Sequence, residues 1–174
     1  CSTAAALRVV KEKIGAGNGK LVFASVAAYV VLLSVMSIAK HYAFNTRGFD
    51  LGIFDQTLWG LANGGFLFST VVGDYLFAHH SFFLFYPLAA IYKVVPSVEL
   101  LLVLQSVVLG LGALPLYWLA KDKLGRGLAA TVAILYLLYP ALNYINLEDF
   151  HIETFAVTAV LFSLYFFERR KHLL

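Results

Sequence analysis

A single cysteine, Cys1, stands in 174 residues. One cysteine permits no intrachain disulfide, and no clustered Cys/His metal motif is present. Charge is scarce as well: 13% of residues are Asp, Glu, Lys or Arg, against roughly 25% in an average soluble domain. A charged, solvated surface of the usual kind is therefore excluded. No Gly-rich nucleotide loop and no nucleophile elbow occurs, so two common catalytic frameworks drop out. Internal repeats and low-complexity tracts are lacking too. The chain starts with Cys1 and stops just after the basic run Glu168-Arg169-Arg170-Lys171, so it reads as part of a longer protein.

What is abundant is apolar surface. Hydrophobic residues make up 61% of the chain, and mean hydropathy is +0.81. These values predict an all-α integral membrane protein. The length suffices for about four crossings at roughly 20 residues each. Leu21–Ala39 is uncharged, and Leu100–Ala120 is longer still. Residues 127–145 and 152–167 are the other two candidates. Residues 1–20 form a basic lead-in, with flexibility expected at Gly15, Gly17 and Gly19. Residues 21–174 then make one transmembrane domain, and Lys121–Arg126 is a tight basic loop inside it.

Residues 40–99 are the long connection. Within it, Leu51, Phe54, Leu58 and Leu61 recur at helical spacing. Asp50 is placed to cap that helix, and Gly64 and Gly65 to end it. About 13 residues cannot span a bilayer, so an amphipathic helix in the membrane interface is expected. Gly73 and Asp74 mark a turn. The Phe- and Leu-rich stretch from Ser81 holds Pro87 and meets Lys93 too soon to cross. Pro96-Ser97 opens the next helix.

Charge then assigns sides. With four crossings, Arg8, Lys11, Lys13, Lys20, Lys121, Lys123, Arg126, Arg169, Arg170 and Lys171 face inward. Only Lys40, Arg47 and Lys93 face outward. That agrees with the positive-inside rule and predicts a plasma-membrane, multi-pass protein with a cytoplasmic N-terminus. A crossing at Ser81–Val95 would reverse most of the balance. Topology accounts for the inner basic residues, so nucleic acid is not an expected partner.

The same topology gathers Asp50, Asp55, Asp74, Glu99, Glu148, Asp149 and Glu153 on the outer face, with His41, His79, His80 and His151. Carboxylates held at a membrane face suggest chemistry or ion binding. The blander roles are a helix cap for Asp50 and a solvated position for Asp55. Asp149, His151 and Glu153 have spacing that a divalent ion could use; Glu153 also suits a helix N-terminus. His79 and His80 can donate to an anionic headgroup or phosphate. Gln105, inside a crossing, suits an interhelical hydrogen bond.

Four patterns carry a resemblance: Phe49-Asp50-Leu51-Gly52-Ile53-Phe54-Asp55-Gln56, His79-His80-Ser81, Ala113-Leu114-Pro115-Leu116-Tyr117 and Asp149-Phe150-His151-Ile152-Glu153. Together, from about Lys40 to Tyr165, they resemble a family of prokaryotic predicted membrane proteins of unassigned function. Phe82 and Ile152 stand where that family often has proline. More distantly, the layout resembles the GT-C class of membrane glycosyltransferases. That resemblance implies a sugar transferase using a polyprenyl-phosphate donor at the outer membrane face. It implies a catalytic Asp50 at the start of the interfacial helix and a second acid, Asp149, in the next outer loop. His79, with His80 and Asp55, would bind substrate. Asp149, His151 and Glu153 could hold a divalent metal. The alternatives are a non-catalytic membrane subunit and a transporter. A transporter would place polar groups near the bilayer midplane, where Gln105 is the main candidate.

Overall fold

The computed structural model describes residues 2–46, 48–75 and 83–170, with side chains from residue 18 onward. The expectations resting on the charges of Arg8, Lys11, Lys13, Arg47 and Lys171 fall outside the described side chains. Helix α1 runs unbroken over Ser2–Tyr42. The lead-in expected to be flexible is thus a continuation of the first helix. Extending a formed helix is far easier than nucleating one, and interior glycine weakens a helix by about 1 kcal/mol without breaking it.

Helix α2 spans Phe49–Ala62. It is entered through Gly48, at φ 69°, and no side chain caps it. Asp50 lies inside the first turn, so the capping role expected for it is not the one it has. A left-handed turn that glycine adopts freely starts the helix instead. At the other end Asn63 Nδ2 donates to Trp59 O at 2.8 Å, and Gly64 has φ 79°. Leu51, Phe54 and Leu58 are buried, as their spacing predicts. Strands β1 (Phe68–Ser69) and β2 (Asp74–Tyr75) follow as an antiparallel hairpin. Two-residue strands are too short for an alternating pattern, and they escape a purely helical expectation. Gln56 ties this hairpin to α2: its Oε1 accepts from Thr70 N at 2.9 Å, and its Nε2 donates to Thr70 Oγ1 at 2.8 Å.

Helix α3 (Phe85–Val94) has ten residues, about 15 Å of helix, and packs on α2. It is too short to cross a bilayer. Helix α4 (Val98–Leu111) begins at Ser97, whose Oγ accepts from Leu100 N at 3.2 Å. Helix α5 (Ala113–Leu137) is broken at Gly125, with φ 80° and ψ 164°, inside the expected basic loop. There the chain reverses. Tyr136 Oη donates to Leu109 O at 2.9 Å, and Gln105 reaches the carbonyls of Ile145 and Asn146. The two arms thus run back to back about Gly125. Gly112 makes the close approach possible, since a Cβ there would collide with the Tyr136 hydroxyl.

Helix α6 (Pro140–Glu148) starts with proline at its first turn, where no intrahelical N–H is needed. Helix α7 (Thr154–Arg170) returns alongside α4 and α5. Of the stretches expected to cross, 21–39 lies within one helix, whereas 127–145 is interrupted at Leu138–Tyr139, where α5 ends and α6 begins. Among the described residues, two helical stretches are long and apolar enough to cross a membrane: Asn18–Tyr42 and Val98–Glu148, the second containing the reversal at Gly125.

Two hydrophobic clusters hold the helices. One joins α1, α4, α5 and α6 through Val22, Tyr29, Leu109, Ala133 and Leu142. The other lies at one end of the bundle. It joins α2, α3 and the start of α4 to Phe150 and Ile152 through Phe54, Leu58, Phe85 and Leu101. This second cluster brings the long connection and the 149–153 segment into contact.

Candidate functional site

The site is built around the break between α6 and α7. A helix end leaves four carbonyls without intrahelical partners. Three neighbouring side chains satisfy those of α6. Ser37 Oγ donates to Asn146 O at 3.1 Å, and Lys40 Nζ donates to Leu147 O at 2.8 Å. Gln105 Nε2 donates to Asp149 O at 2.9 Å, with longer contacts to Ile145 O and Asn146 O. A lysine at a helix C-terminus is also favoured by the helix dipole. Deeper in, Asn146 Nδ2 donates to Ser106 Oγ at 3.1 Å, and Ser106 Oγ donates to Leu102 O.

Gln105 also accepts. Its Oε1 takes His151 N–H at 2.7 Å, with Thr154 Oγ1 at 3.4 Å. One fully buried amide on α4 therefore fixes both the end of α6 and the strand-like segment after it. The interhelical role expected for Gln105 is present, and it extends to holding a loop.

The chain leaves α6 through an extended Asp149, at φ −164°, and turns into α7 at residues 152–153. Phe150 and Ile152 are buried, while His151 is only half-buried between them. The Phe150 ring packs edge-on against Phe54 at 5.5 Å between centroids. Phe54 and Asp50 are four apart on α2, one turn of the same face. The aromatic contact therefore draws His151 towards Asp50. His151 Nδ1 lies 3.8 Å from Asp50 Oδ2, with side-chain exposures of 22% and 45%. This is ion-pair distance, longer than a hydrogen bond. Asp50 and His151, 101 positions apart, are brought together.

Asp149 behaves differently. It is 2% exposed, and its Oδ1 accepts from Phe150 N at 2.9 Å. Asp149 Oδ2 and His151 Nε2 are buried with no hydrogen-bond partner among the described residues. Glu153 is exposed at the entry to α7. Asp149, His151 and Glu153 are not brought together as a set of metal ligands. Among the described residues, no group of three or more His, Cys, Asp or Glu side chains is arranged to hold an ion. His79 and His80 lie outside the described residues.

Asp55 is not merely solvated. It accepts a hydrogen bond from the Tyr92 hydroxyl of α3. At the neighbouring edge, the Tyr42 hydroxyl at the end of α1 donates to Glu99 at the start of α4. These two tyrosine–carboxylate pairs were not legible in a chain with ten tyrosines. The available signal was position: Tyr42 and Tyr92 each lie in the last turn of a helix, within the 40–99 connection that also holds Asp55 and Glu99.

Burial pushes the Tyr92 phenol well above its ordinary 10.0. The hydrogen bond to Asp55 and the negative charges of Asp55 and Glu99 raise it further. A raised phenol stays neutral in the folded state after the unfolded chain has begun to ionise. Its contribution is fully present below about pH 10 and is lost as pH rises from there towards the folded value. The stability gap between the native protein and Tyr92→Phe should therefore narrow between about pH 8 and pH 11. Thermal unfolding in detergent at the two pH values checks this; an unchanged gap would contradict the pairing.

The fold and this end-of-bundle site define an α-helical membrane protein carrying a partly buried carboxylate–imidazole pair over a buried polar network. The chain belongs to the family described as "Predicted membrane protein (DUF2079)", whose model matches residues 40–174. No curated protein and no solved structure matches it.

Proposed function

We propose that this chain is part of a GT-C-like glycosyltransferase that moves a sugar from a polyprenyl-phosphate donor to a hydroxyl acceptor at the outer face of the plasma membrane. The observation that carries it is the Asp50–His151 pair. A half-exposed carboxylate on a short amphipathic helix faces an imidazole, beside helices apolar enough to lie in a bilayer. A lipid-borne donor can reach such a site laterally.

In the proposed step an acceptor oxygen attacks the anomeric carbon. The bond from that carbon to the phosphate oxygen breaks, and the electron pair leaves with polyprenyl phosphate. The acceptor proton passes to the Asp50 carboxylate as general base. His151 orients that carboxylate and, when protonated, offsets negative charge near the leaving phosphate. Asp149 is buried and acts as a positioning residue for the His151 segment. Asp55 lies five residues along α2 from Asp50, in mid-helix, and steadies α3 through Tyr92. Donor phosphate contact is assigned to His79 and His80. The step needs a carboxylate and an imidazole and is not routed through a metal ion.

The topology that goes with this reading has four crossings and a cytoplasmic N-terminus. Cysteine placed at the exposed Glu153 should react with an impermeant maleimide added outside intact cells. Cysteine at the exposed Asp122 should react only after permeabilisation. The opposite pattern would overturn the orientation. Transfer itself is tested with the full-length protein reconstituted with polyprenyl-phosphate sugars. If the wild-type protein neither binds nor turns over any such donor, a non-catalytic membrane subunit becomes the better reading.

A further inference from the structure

A second feature involves the chain segments on either side of the pair. Between the end of α1 and the outer end of α6 lies an open cleft of about 620 Å³. One wall is Lys40, Phe44, Asn45 and Thr46; the other is Tyr144 with Glu148. These walls are the chain segments that lead directly into Asp50 on one side and His151 on the other. The cleft thus shares chain segments with the carboxylate–imidazole pair without being lined by it, and its volume lies in the range of small-molecule sites.

Its lining has a definite chemistry. Phe44 is 95% exposed and Tyr144 is exposed too, so two aromatic side chains stand free at the rim. Asn45 and Thr46 add an amide and a hydroxyl, each able to donate and accept. Lys40 gives one N–H to Leu147 O and keeps two more. Glu148 contributes a carboxylate of opposite charge. Ammonium and carboxylate together leave the cleft without net charge. A phosphate dianion gains little from such a lining. A neutral polyhydroxylated ring, with apolar faces for the aromatics and hydroxyls for the paired donors and acceptors, uses all of it.

We infer that the cleft between residues 40–46 and 144–148 binds a saccharide, the hydroxyl-bearing acceptor of the proposed transfer. The volume accommodates one or two sugar rings. The inference rests on the transferase reading for the word acceptor, but the binding itself does not require transfer.

Binding is read directly by saturation-transfer NMR on the full-length protein in nanodiscs, using free glucose, galactose, mannose, N-acetylglucosamine and their disaccharides. At least one should give a signal. Tyr144→Ala and Asn45→Ala should each weaken it about tenfold, roughly 1.4 kcal/mol, while Asp122→Asn, at an exposed position outside the cleft lining, leaves it intact. Both substituted positions are exposed, so the fold should survive, which unfolding curves verify. No signal with any sugar overturns the inference. So does displacement by inorganic phosphate or glycerol phosphate, which would mark an anion or headgroup site. Donor turnover without sugar binding in the cleft would leave the transferase reading standing and remove this one. Sugar binding without turnover would do the reverse.

Discussion

Gln105→Leu should lower the unfolding midpoint by on the order of 10 °C, because it removes a fully buried amide that pairs backbone groups on both sides of the α6–α7 break. An ordinary hydrogen bond between membrane helices averages about 0.6 kcal/mol, too little for such a shift. Gln105 is not ordinary. Its donors serve carbonyls at the end of α6, and its acceptor takes the N–H of His151. Leucine matches the volume but leaves the Asp149 carbonyl and the His151 N–H unsatisfied. Each such buried group costs about 1–3 kcal/mol, so about 2–6 kcal/mol is at stake. That compares with a total stability of about 5–15 kcal/mol for a typical domain. At about 2–4 °C per kcal/mol for a chain of this size, a shift near 10 °C follows. Gln105→Glu is the informative companion. It keeps an acceptor for His151 N–H but loses the amide donor and turns a carboxylate on the α6 carbonyls, so it should be no better than leucine. A Gln105→Leu protein that melts with the wild type would show that the segment is held by Phe150 and Ile152 alone.

How much of this could be read beforehand depends on the range of each interaction. Amphipathic spacing along α2 is local, and Leu51, Phe54 and Leu58 are buried as that spacing requires. The turn at Gly125 is local too, and the chain reverses where the basic loop was expected. The start of α2 misled because both Gly48 and Asp50 are good helix-start residues. The backbone used glycine at φ 69°, which left the Asp50 side chain free to face His151. That freedom is what the proposed general-base role requires of the Asp50 carboxylate.

Long-range partners are another matter. Lys40 looked like the charged end of a crossing, yet it caps α6 from 107 residues away. Asp149, His151 and Glu153 looked alike on spacing that assumed a helix. The segment is irregular instead: Asp149 is extended, and residues 152–153 form a turn into α7, so helical spacing does not apply. Asp149 is buried and Glu153 exposed, and His151 turns to Asp50. Spacing carries meaning only once the backbone period is known. Here the period changes because the α6 carbonyls are satisfied by side chains from α1 and α4, not by a further helical turn.

Asp50→Asn should reduce transfer about 10²- to 10⁴-fold, the usual contribution of a positioned general base. Asparagine keeps the shape and a hydrogen-bonding oxygen but cannot take the acceptor proton. Asp50 is half-exposed, so membrane insertion and unfolding should change little. That pairing of outcomes separates it from Gln105→Leu, where stability falls first. His151→Ala should cost less than Asp50→Asn, because the imidazole orients the carboxylate and balances charge without receiving the acceptor proton. If the two act as one unit, Asp50→Asn combined with His151→Ala should be scarcely worse than Asp50→Asn alone, since contacting residues do not add. Strictly additive losses would mean independent roles and would remove His151 from the mechanism. Unchanged transfer by Asp50→Asn would remove Asp50 itself. Binding of the polyprenyl-phosphate donor should persist in the Asp50→Asn protein, because the proton acceptor is needed for the bond change and not for holding the lipid.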